Sequence, residues 1–319
     1  MSEYSIGVDL GSTRILAGVI DNATGRVIDF SKKLTKDERG KDIIMQRTIE
    51  TIEKVVCMAQ IPLSEITSIG VGAAGQVDRK NGIILSAPNL GCYDVDVRNI
   101  LYTRFKKPVF LGNDKETATL GELNFGAGVG YDNFVCIFAG TGIGSGVVHD
   151  GKMYRGFTGT AGEIGHIVVD SGGRQCSCGA NGCLEAYASR SAIEKKILAD
   201  IKRGQDSVIS KYLVDSSRIH SMYIKEAIDL GDNVVINAVN EAIEYLSSGI
   251  ATVVNFFNPQ LIILGGSLIA NVDYIYEKTV IQIKTKALPT PSNSVKITKP
   301  ALGEFAGIIG AALLKNEYS

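Results

Sequence analysis

The 319-residue sequence has no excess of charge of either sign, because 33 lysine and arginine residues stand against 34 aspartate and glutamate residues. The resulting net charge of −1 provides no surplus of cations for a nucleic-acid backbone or an anionic membrane. No apolar stretch reaches the roughly 18 residues of a membrane span, and the amino terminus has no basic segment before an apolar one. We therefore expect a soluble, cytoplasmic protein that binds neither nucleic acid nor membrane.

Cysteine is also scarce, with six residues in the chain. Cys57, Cys92 and Cys136 lie singly in apolar segments, which is typical of small buried side chains and gives no disulfide framework. No linker-like or low-complexity stretch is present. Glycine, in contrast, is abundant, with 36 residues where about 7% of a chain is usual. At this length we expect two domains, whose backbone often turns tightly or approaches a ligand.

The other three cysteines lie in one glycine-rich segment, residues 162–185, with the sequence GEIGHIVVDSGGRQCSCGANGCLE. His166, Cys176, Cys178 and Cys183 follow the spacing H-x9-C-x-C-x4-C, which suits a tetrahedral Zn²⁺ with a filled shell and a structural role. A surface loop with unlinked thiols is the plain alternative. An iron–sulfur cluster would need four thiolates, or two from each of two chains, so this set of donors favours zinc.

One design occurs twice in the chain. The first copy has a strand from Tyr4 to Asp9, a glycine-containing turn in LGSTR, which we call the first tip, and a strand from Arg14 to Ile20. The second copy has a strand from Phe134 to Ala139, the turn GTGIGSG, which we call the second tip, and a strand from Gly146 to His149. Such tips can offer backbone N–H groups and hydroxyls to a phosphate. The tip residues that we expect to bind ATP are Gly11, Ser12, Thr13, Gly140, Thr141, Gly142 and Gly144.

The duplication predicts the actin-like (ribonuclease H-like) ATPase fold, an α/β architecture in which a nucleotide lies in a central cleft between two α/β domains. We place the smaller domain at residues 1–113 with a C-terminal helix over 303–319, and the larger domain at residues 114–302 with a zinc-binding loop over 163–185. The sequence predicts one long helix from Cys183 to Arg203. It predicts two shorter helices from Asp206 to Leu230, around Ser216 and Ser217.

Two strand ends carry further candidates. Asn113 and Asp114 follow the strand from Lys107 to Gly112, and either side chain would serve as a helix N-cap. Strand ends of this kind face the ligand crevice in α/β folds, so an acid there can accept a proton from a bound hydroxyl. Gly265 and Gly266 follow the strand from Gln260 to Leu264, where a backbone without side chains can lie against adenine or simply turn.

These motifs, GEIGH, CSCGANGCLE, DLGSTR, LGND and AGTGIGSG, together resemble the ROK family (repressors, open reading frames, kinases) over essentially the whole chain. The resemblance implies an ATP-dependent hexose kinase, most simply a glucokinase, with Asp114 as the catalytic base and Mg²⁺ bridging the phosphates. It also implies a homodimer or a homotetramer. The positions that resemble the family's sugar contacts are Asn89, Asn113, Asp114, Glu163, His166 and Glu185.

Several alternatives remain beside a glucokinase. Another hexose or an N-acetylhexosamine, such as N-acetylmannosamine, fructose or allose, is an open substrate, because Ser12, Cys92 and the proline-free loop of residues 72–75 depart from the usual family pattern. A sugar-sensing repressor would carry a DNA-binding domain before the first strand, and here that strand starts at Tyr4. An iron–sulfur activator ATPase shares the Gly-Ser-Thr tip.

We expect the zinc loop to place sugar contacts and to be independent of both ATP tips.

Overall fold

The computed structural model describes residues 3–35, 39–213 and 219–318. The chain divides into two compact units, Met1–Gly130 with Pro300–Ser319, and Tyr131–Lys299. This division differs from the boundaries at 113 and 303 that we predicted, because the helix that starts at Asp114 packs tightly on the C-terminal helix of the first unit. The described part of the chain contains no helix with the length and apolar character that a membrane crossing needs.

The first unit begins with three strands, and its helices follow later. Up to residue 130 its elements are β1 (Tyr4–Leu10), β2 (Arg14–Asp21), β3 (Val27–Leu34), α1 (Lys41–Ala59), β4 (Ile66–Ala73), β5 (Gln76–Asp78), β6 (Ile83–Ala87), β7 (Cys92–Asp96), α2 (Val97–Phe105), β8 (Val109–Asn113) and α3 (Asp114–Phe125). The central sheet has the order β3-β2-β1-β4-β8, with β1, β2 and β3 antiparallel and with β4 and β8 parallel to β1. A small antiparallel sheet of β5, β6 and β7 was not predicted from the sequence.

The second unit repeats this plan and adds more helices. Its elements are β9 (Phe134–Ala139), β10 (Ile143–His149), β11 (Lys152–Tyr154), α4 (Glu185–Ala188), α5 (Arg190–Lys202), α6 (Ser221–Asp229), α7 (Asn233–Phe257), β12 (Leu261–Gly265), α8 (Ser267–Asn271), α9 (Asp273–Lys286), α10 (Pro289–Ser294) and β13 (Lys296–Thr298). The sheet has the order β11-β10-β9-β12-β13, again with three antiparallel strands followed by two parallel ones. The predicted duplication is therefore present in strand order and in strand direction.

The chain then returns to the first unit with α11 (Ala306–Ala312). Along β2, Ile15 and Val19 pack in the cluster that includes α1, whereas Leu16 and Ile20 pack with Ile308 of α11. Since alternate residues of a strand point to opposite faces, α1 and α11 cover the two faces of this sheet.

Glycine allows α11 to lie directly on the sheet and on α3. A Cβ atom at Gly7 would lie 1.8 Å from the carbonyl oxygen of Ile308, and one at Gly70 would lie 1.7 Å from that of Ala311. A Cβ atom at Gly310 would in turn lie 1.7 Å from the carbonyl oxygen of Thr117 in α3. Part of the abundant glycine therefore serves backbone packing and not ligand binding.

Two predicted helices differ from the structure. The helix expected from Cys183 to Arg203 is broken at Ser189, whose backbone is extended (φ −77°, ψ 160°) and whose Oγ accepts a hydrogen bond from the backbone N–H of Ala192 at 3.1 Å. The serine is thus an N-cap inside an apolar pattern. Over residues 206–230 the structure has a short 3₁₀ helix, Val208–Tyr212, and then α6, while Ser216 and Ser217 lie outside the described residues.

Candidate functional site

The first glycine tip connects β1 to β2, and the carbonyl groups of Gly11 and Thr13 accept hydrogen bonds within the protein. The N–H of Gly11 donates to the carbonyl of Arg14 at 3.0 Å, and Thr35 donates to the carbonyls of Thr13 and Gly11 at 2.9 and 3.1 Å. The N–H groups of Ser12 and Thr13 have no acceptor among the described residues. Exposed donors beside satisfied acceptors make this tip suited to an anion.

Three charged side chains lie close to this tip in the first unit. Asp114, the first residue of α3, accepts a hydrogen bond at Oδ2 from the ammonium group of Lys115 at 2.6 Å, and its side chain is 15% exposed. Burial, followed by the carboxylate of Asp114, raises the pKa of Asp9 to about 6, although Lys115 and Arg14 oppose that rise. An acid with a pKa so displaced is typical of a functional site. Sequence reasoning missed Asp9, whose one signal was its place at the end of β1.

Asn113 and Asp114 have separate roles at the start of α3. The amide of Asn113 caps the helix, because its Oδ1 accepts from the N–H of Lys115 at 2.8 Å while Glu116 completes a capping box. Its Nδ2 donates to the carbonyl of Gly75 at 2.9 Å. The N-cap interpretation therefore applies to Asn113, and the carboxylate of Asp114 takes no part in the cap. Asn89 has an exposed side chain in the 3₁₀ turn Pro88–Leu90.

The second glycine tip connects β9 to β10 and has the same property as the first. The carbonyls of Gly140, Thr141 and Gly142 accept from the N–H of Arg190 at 2.8 Å, from Oγ of Ser191 at 2.8 Å and from the N–H of Gly140 at 2.9 Å, in that order. The N–H groups of Thr141 and Gly142 have no acceptor within the described ranges. Gly144 lies in β10, beyond the turn itself.

Gly265 and Gly266 lie beside this second tip, at the end of β12. Gly266 has a φ of +95°, and a Cβ atom there would lie 2.3 Å from the carbonyl oxygen of Ala139. A Cβ atom at Gly140 would lie 3.1 Å from Oγ of Ser267, the first residue of α8. The close approach of two strand ends is therefore sufficient reason for glycine at 266, and an adenine contact stays a prediction.

The four predicted metal ligands come together in the second unit. The ligand atoms of His166, Cys176, Cys178 and Cys183 all lie within 4.8 Å of one another. Cys178 Sγ is 3.7 Å from Cys183 Sγ, and Cys176 Sγ is 3.7 Å from His166 Nδ1. Bonds of the usual lengths to a tetrahedral zinc ion would separate two sulfurs by about 3.8 Å and a sulfur from a nitrogen by about 3.6 Å. The donor set and its spacing therefore fit Zn²⁺.

Contacts besides the metal ligands also hold this loop. The hydroxyl of Tyr187 donates to Asp170 Oδ2 at 2.7 Å and accepts from the N–H of Arg174 at 2.7 Å. The guanidinium group of Arg174 lies over the ring of Tyr187 and donates to both oxygens of Glu241 in α7, at 2.7 and 2.8 Å. The loop is thus fastened to the helical body, and its order does not depend on a metal alone.

Glu185 joins the zinc loop to the second tip. Its Oε1 accepts from Oγ of Ser177, between two of the cysteines, at 3.0 Å, and its Oε2 accepts from the N–H of Ile143 at 2.9 Å. A Cβ atom at Gly142 would lie 2.3 Å from the same Oε2, and one at Gly165 would lie 2.2 Å from the carbonyl of Ile143. Our expectation that the zinc loop is independent of both tips was therefore wrong for the second tip, because one carboxylate bonds to both.

Glu163 and His166, two of the candidate sugar contacts, lie on one short turn of this loop. Glu163 is exposed and precedes the 3₁₀ turn Ile164–His166, so it lies one helical turn from the candidate metal ligand His166. The structure therefore brings Glu163, His166 and Glu185 to one side of the second unit, next to the tip at Gly142. Asn89, Asn113 and Asp114 belong to the first unit.

The paired sheets, each with a glycine tip between its first two strands, define an actin-like ATPase fold. Residues 5–317 match the family described as the ROK family, so the chain belongs to that family. The chain is 33% identical to the glucokinase of Thermotoga maritima over 316 residues, which cover 98% of this chain and 97% of that one. It is 31% identical to the xylose repressor of Bacillus spizizenii over 318 residues, 99% of this chain and 77% of the repressor.

The fold agrees closely with a solved relative. The crystal structure of a ROK family glucokinase from Streptomyces griseus in complex with glucose and AMPPNP matches with a TM-score of 0.83 and 30% sequence identity, over 98% of each chain.

Proposed function

We propose that this chain is an ATP-dependent sugar kinase that transfers the γ-phosphoryl group of ATP to a hydroxyl of glucose. The observation that carries this proposal is the pair of glycine tips, in each of which carbonyls accept hydrogen bonds within the protein and two adjacent N–H groups have no acceptor in the described part of the chain. The similarity to glucokinases over the whole chain supports glucose as the sugar, and the relative with bound AMPPNP supports ATP as the donor.

Phosphoryl transfer requires little covalent chemistry from the protein itself. In phosphoryl transfer the transition state is loose, and catalysis comes from placing the reactants and stabilising charge. The open N–H groups of both tips would bind phosphate oxygens. Mg²⁺ would neutralise charge on the phosphates, and the carboxylates of Asp9 and Asp114 suit it, since it prefers oxygen ligands.

Asp114 would accept the proton of the sugar hydroxyl. Its carboxylate is not used in capping α3, its side chain is largely buried, and Lys115 fixes one of its oxygens at 2.6 Å. The other oxygen is left to accept the proton as the bond to phosphorus forms. A base that is held in one orientation also positions the hydroxyl for attack.

The sugar would be bound by side chains that each pair with hydroxyl groups, from the set Asn89, Asn113, Asp114, Glu163, His166 and Glu185. His166 can serve both the metal and the sugar, because its Nδ1 faces Cys176 and its Nε2 is left for a hydroxyl. Glu185 can accept further hydrogen bonds, since each of its oxygens accepts one within the protein. Zn²⁺ held by His166 and the three cysteines would fix the turn that carries these groups.

We further infer a cytoplasmic enzyme, since ATP is the proposed donor, that acts as a homodimer or homotetramer without nucleic-acid or membrane partners. The decisive experiment measures ADP release with glucose, fructose, allose and N-acetylmannosamine, and identifies the product by mass spectrometry. We expect the highest kcat/KM with glucose. Sugar binding without any ADP release would instead favour a sugar-sensing regulator, as the names of the repressor relatives suggest for those proteins.

A further inference from the structure

Arg190, the first residue of α5, brings a guanidinium group to the second tip. Its Nη2 donates to the hydroxyl oxygen of Thr141 at 2.9 Å, and its Nη1 donates to the carbonyl of Ile219 at 3.3 Å. The side chain is 14% exposed, so these two contacts and the surrounding packing fix its position. The charge is therefore held at the tip and does not extend freely into solvent.

Among the described residues, the acid that pairs with Arg190 is Glu194, at a long distance. Glu194, one turn along α5, has Oε2 at 3.8 Å from Nη1 of Arg190, which is the outer limit of an ion pair. The other oxygen of Glu194 accepts from the N–H of Ile219 at 2.9 Å. The hydroxyl and the carbonyl orient the guanidinium group, and the more distant carboxylate of Glu194 leaves room for a second anionic partner.

Arg190 also determines how Thr141 can bond. Since Oγ1 of Thr141 accepts from the guanidinium group, its proton is available for donation, and no acceptor for it exists among residues 3–35, 39–213 and 219–318. This O–H lies beside the open N–H groups of Thr141 and Gly142. The tip thus presents three donors that lack acceptors in the described part of the chain, together with a fixed positive charge, and this arrangement suits a polyanion.

We propose that Arg190 binds the phosphate chain of the nucleotide and is the protein's own cation at the second tip. The inference rests on the proposed function, in which this tip binds ATP. Arginine suits the role because its planar fork can bond a phosphate while it keeps the contact to Thr141. Two other cations near the proposed groups are already paired, Arg14 with Glu304 at 2.5 Å and Lys115 with Asp114 at 2.6 Å.

The test compares direct binding of adenosine, AMP, ADP and ATP to the wild type and to Arg190→Met, by calorimetry without sugar. Methionine keeps an apolar stem and removes the charge. We expect ATP and ADP to bind at least about tenfold more weakly and adenosine to bind unchanged, since a hydrogen bond to a charged group typically accounts for such a factor. Arg190→Lys keeps the charge and should recover part of the loss. It also serves if the methionine variant does not fold.

A matched control lies directly after the last residue of the same helix. Arg203 is 69% exposed and pairs with Asp200 at 3.0 Å, so Arg203→Met should leave the affinity for every nucleotide unchanged. Arg190 could instead act on ATP affinity by orienting Thr141, and the double variant with Thr141→Val distinguishes this from a direct contact. If Arg190 contacts phosphate directly, Arg190→Met should weaken ATP binding further even in the Thr141→Val protein. No further loss there overturns the proposal, as does an equal loss for adenosine and ATP. A wild type that binds no nucleotide would instead refute the proposed function.

Discussion

The two units share one hairpin design and surround it with different chemistry. In the first unit the tip between β1 and β2 is accompanied by the acids Asp9 and Asp114 and by Lys115. In the second unit the tip between β9 and β10 is bound by α5 and by Glu185, which also contacts the zinc loop. The repeated backbone would thus supply the proposed anion binding twice, while each unit adds its own side chains for a different part of the proposed reaction.

The difference between the two units shows that a repeated backbone does not by itself predict the same role for the side chains around it. The N–H groups of a glycine tip bind an anion by backbone geometry alone, so they survive duplication with little constraint on the flanking sequence. Proton transfer and sugar recognition depend on particular side chains, which a repeated backbone does not by itself supply. Removing groups from one unit at a time should therefore affect different steps.

The largest effect should come from Asp114→Asn in the first unit. We expect kcat to fall by about 10²- to 10⁴-fold, because the amide cannot accept the hydroxyl proton, while the affinity for glucose changes little. Steady-state kinetics and calorimetry with glucose measure the two quantities. Asp42→Asn, on the first turn of α1, is a matched change away from the proposed groups and should leave both unchanged. Turnover of Asp114→Asn within a few-fold of the wild type would assign the proton to another group.

The next effect should come from Cys178→Ser in the second unit. Loss of one thiolate should release the metal and raise the KM for glucose by about 100-fold or more, since ordering each residue of a freed turn costs roughly 1 to 2 kcal/mol. Because Glu185 bonds to both Ser177 and Ile143, we also expect ATP affinity to fall by a few-fold. Metal analysis of the wild type should find about one zinc per chain.

Two results would break the predicted link between the zinc loop and the second tip. A metal-free Cys178→Ser protein with unchanged ATP affinity would show that Glu185 holds Ile143 without the metal. A metal-free wild type with full activity would remove zinc from the proposal altogether. Cys57→Ser, at a cysteine of α1 that is exposed although its apolar segment predicted a buried one, is the matched control and should keep both metal and kinetics.

A smaller effect should separate the two tips directly. Thr141→Val and Thr13→Val make the same change in the second and the first tip, and each should weaken ATP binding by about tenfold through the loss of a hydroxyl donor to a charged group. Glucose binding in the absence of nucleotide should stay within a factor of about two. Calorimetry with each ligand alone measures these values. An effect of Thr141→Val without one of Thr13→Val would show that only the second tip binds the phosphates through its hydroxyl.

Sequence reasoning identified the parts of the molecule that depend on local pattern. The spacing of His166 and the three cysteines predicted a cluster whose ligand atoms do converge, and the repeated order of strand, tip and strand predicted the two matching sheets. Both are properties of short segments with characteristic residues. The family resemblance, carried by the same motifs, is confirmed over residues 5–317.

The contacts that sequence reasoning missed all join segments far apart in the chain. The bond between Glu185 and Ile143 spans 42 residues, and that between Arg190 and Thr141 spans 49, so no local pattern marks them. The break at Ser189 was hidden inside an apolar helical pattern, because one capping serine has little weight against it. Asp9 was passed over because an acid at a strand end is common, and its burial arises only when the sheet and α11 assemble.

The smallest effect concerns stability and distinguishes Asp9 from an ordinary structural acid. Its pKa in the folded protein is about 6 against an ordinary value of 3.8, so the folded state disfavours the ionised carboxylate. Below the pKa of the unfolded state, the carboxyl is protonated in both states and does not change the free energy of unfolding. As the pH rises from about 4 to 6, the unfolded state loses its proton first, so the free energy of unfolding falls. Above that window the destabilisation is complete, and the shift corresponds to about 3 kcal/mol.

Asp9→Asn should therefore make the ligand-free protein more stable than the wild type at pH 7.5, by up to that amount, and equally stable near pH 4. Denaturant unfolding at the two pH values, without nucleotide or Mg²⁺, measures the difference. Asp29→Asn, on β3 of the same sheet, is the control and should show no such pH-dependent gain. The same Asp9→Asn variant should lose activity, since it removes a proposed ligand of Mg²⁺. A variant that is less stable than the wild type at pH 7.5 would mean that the carboxylate is satisfied in the fold, and the acid would then be structural.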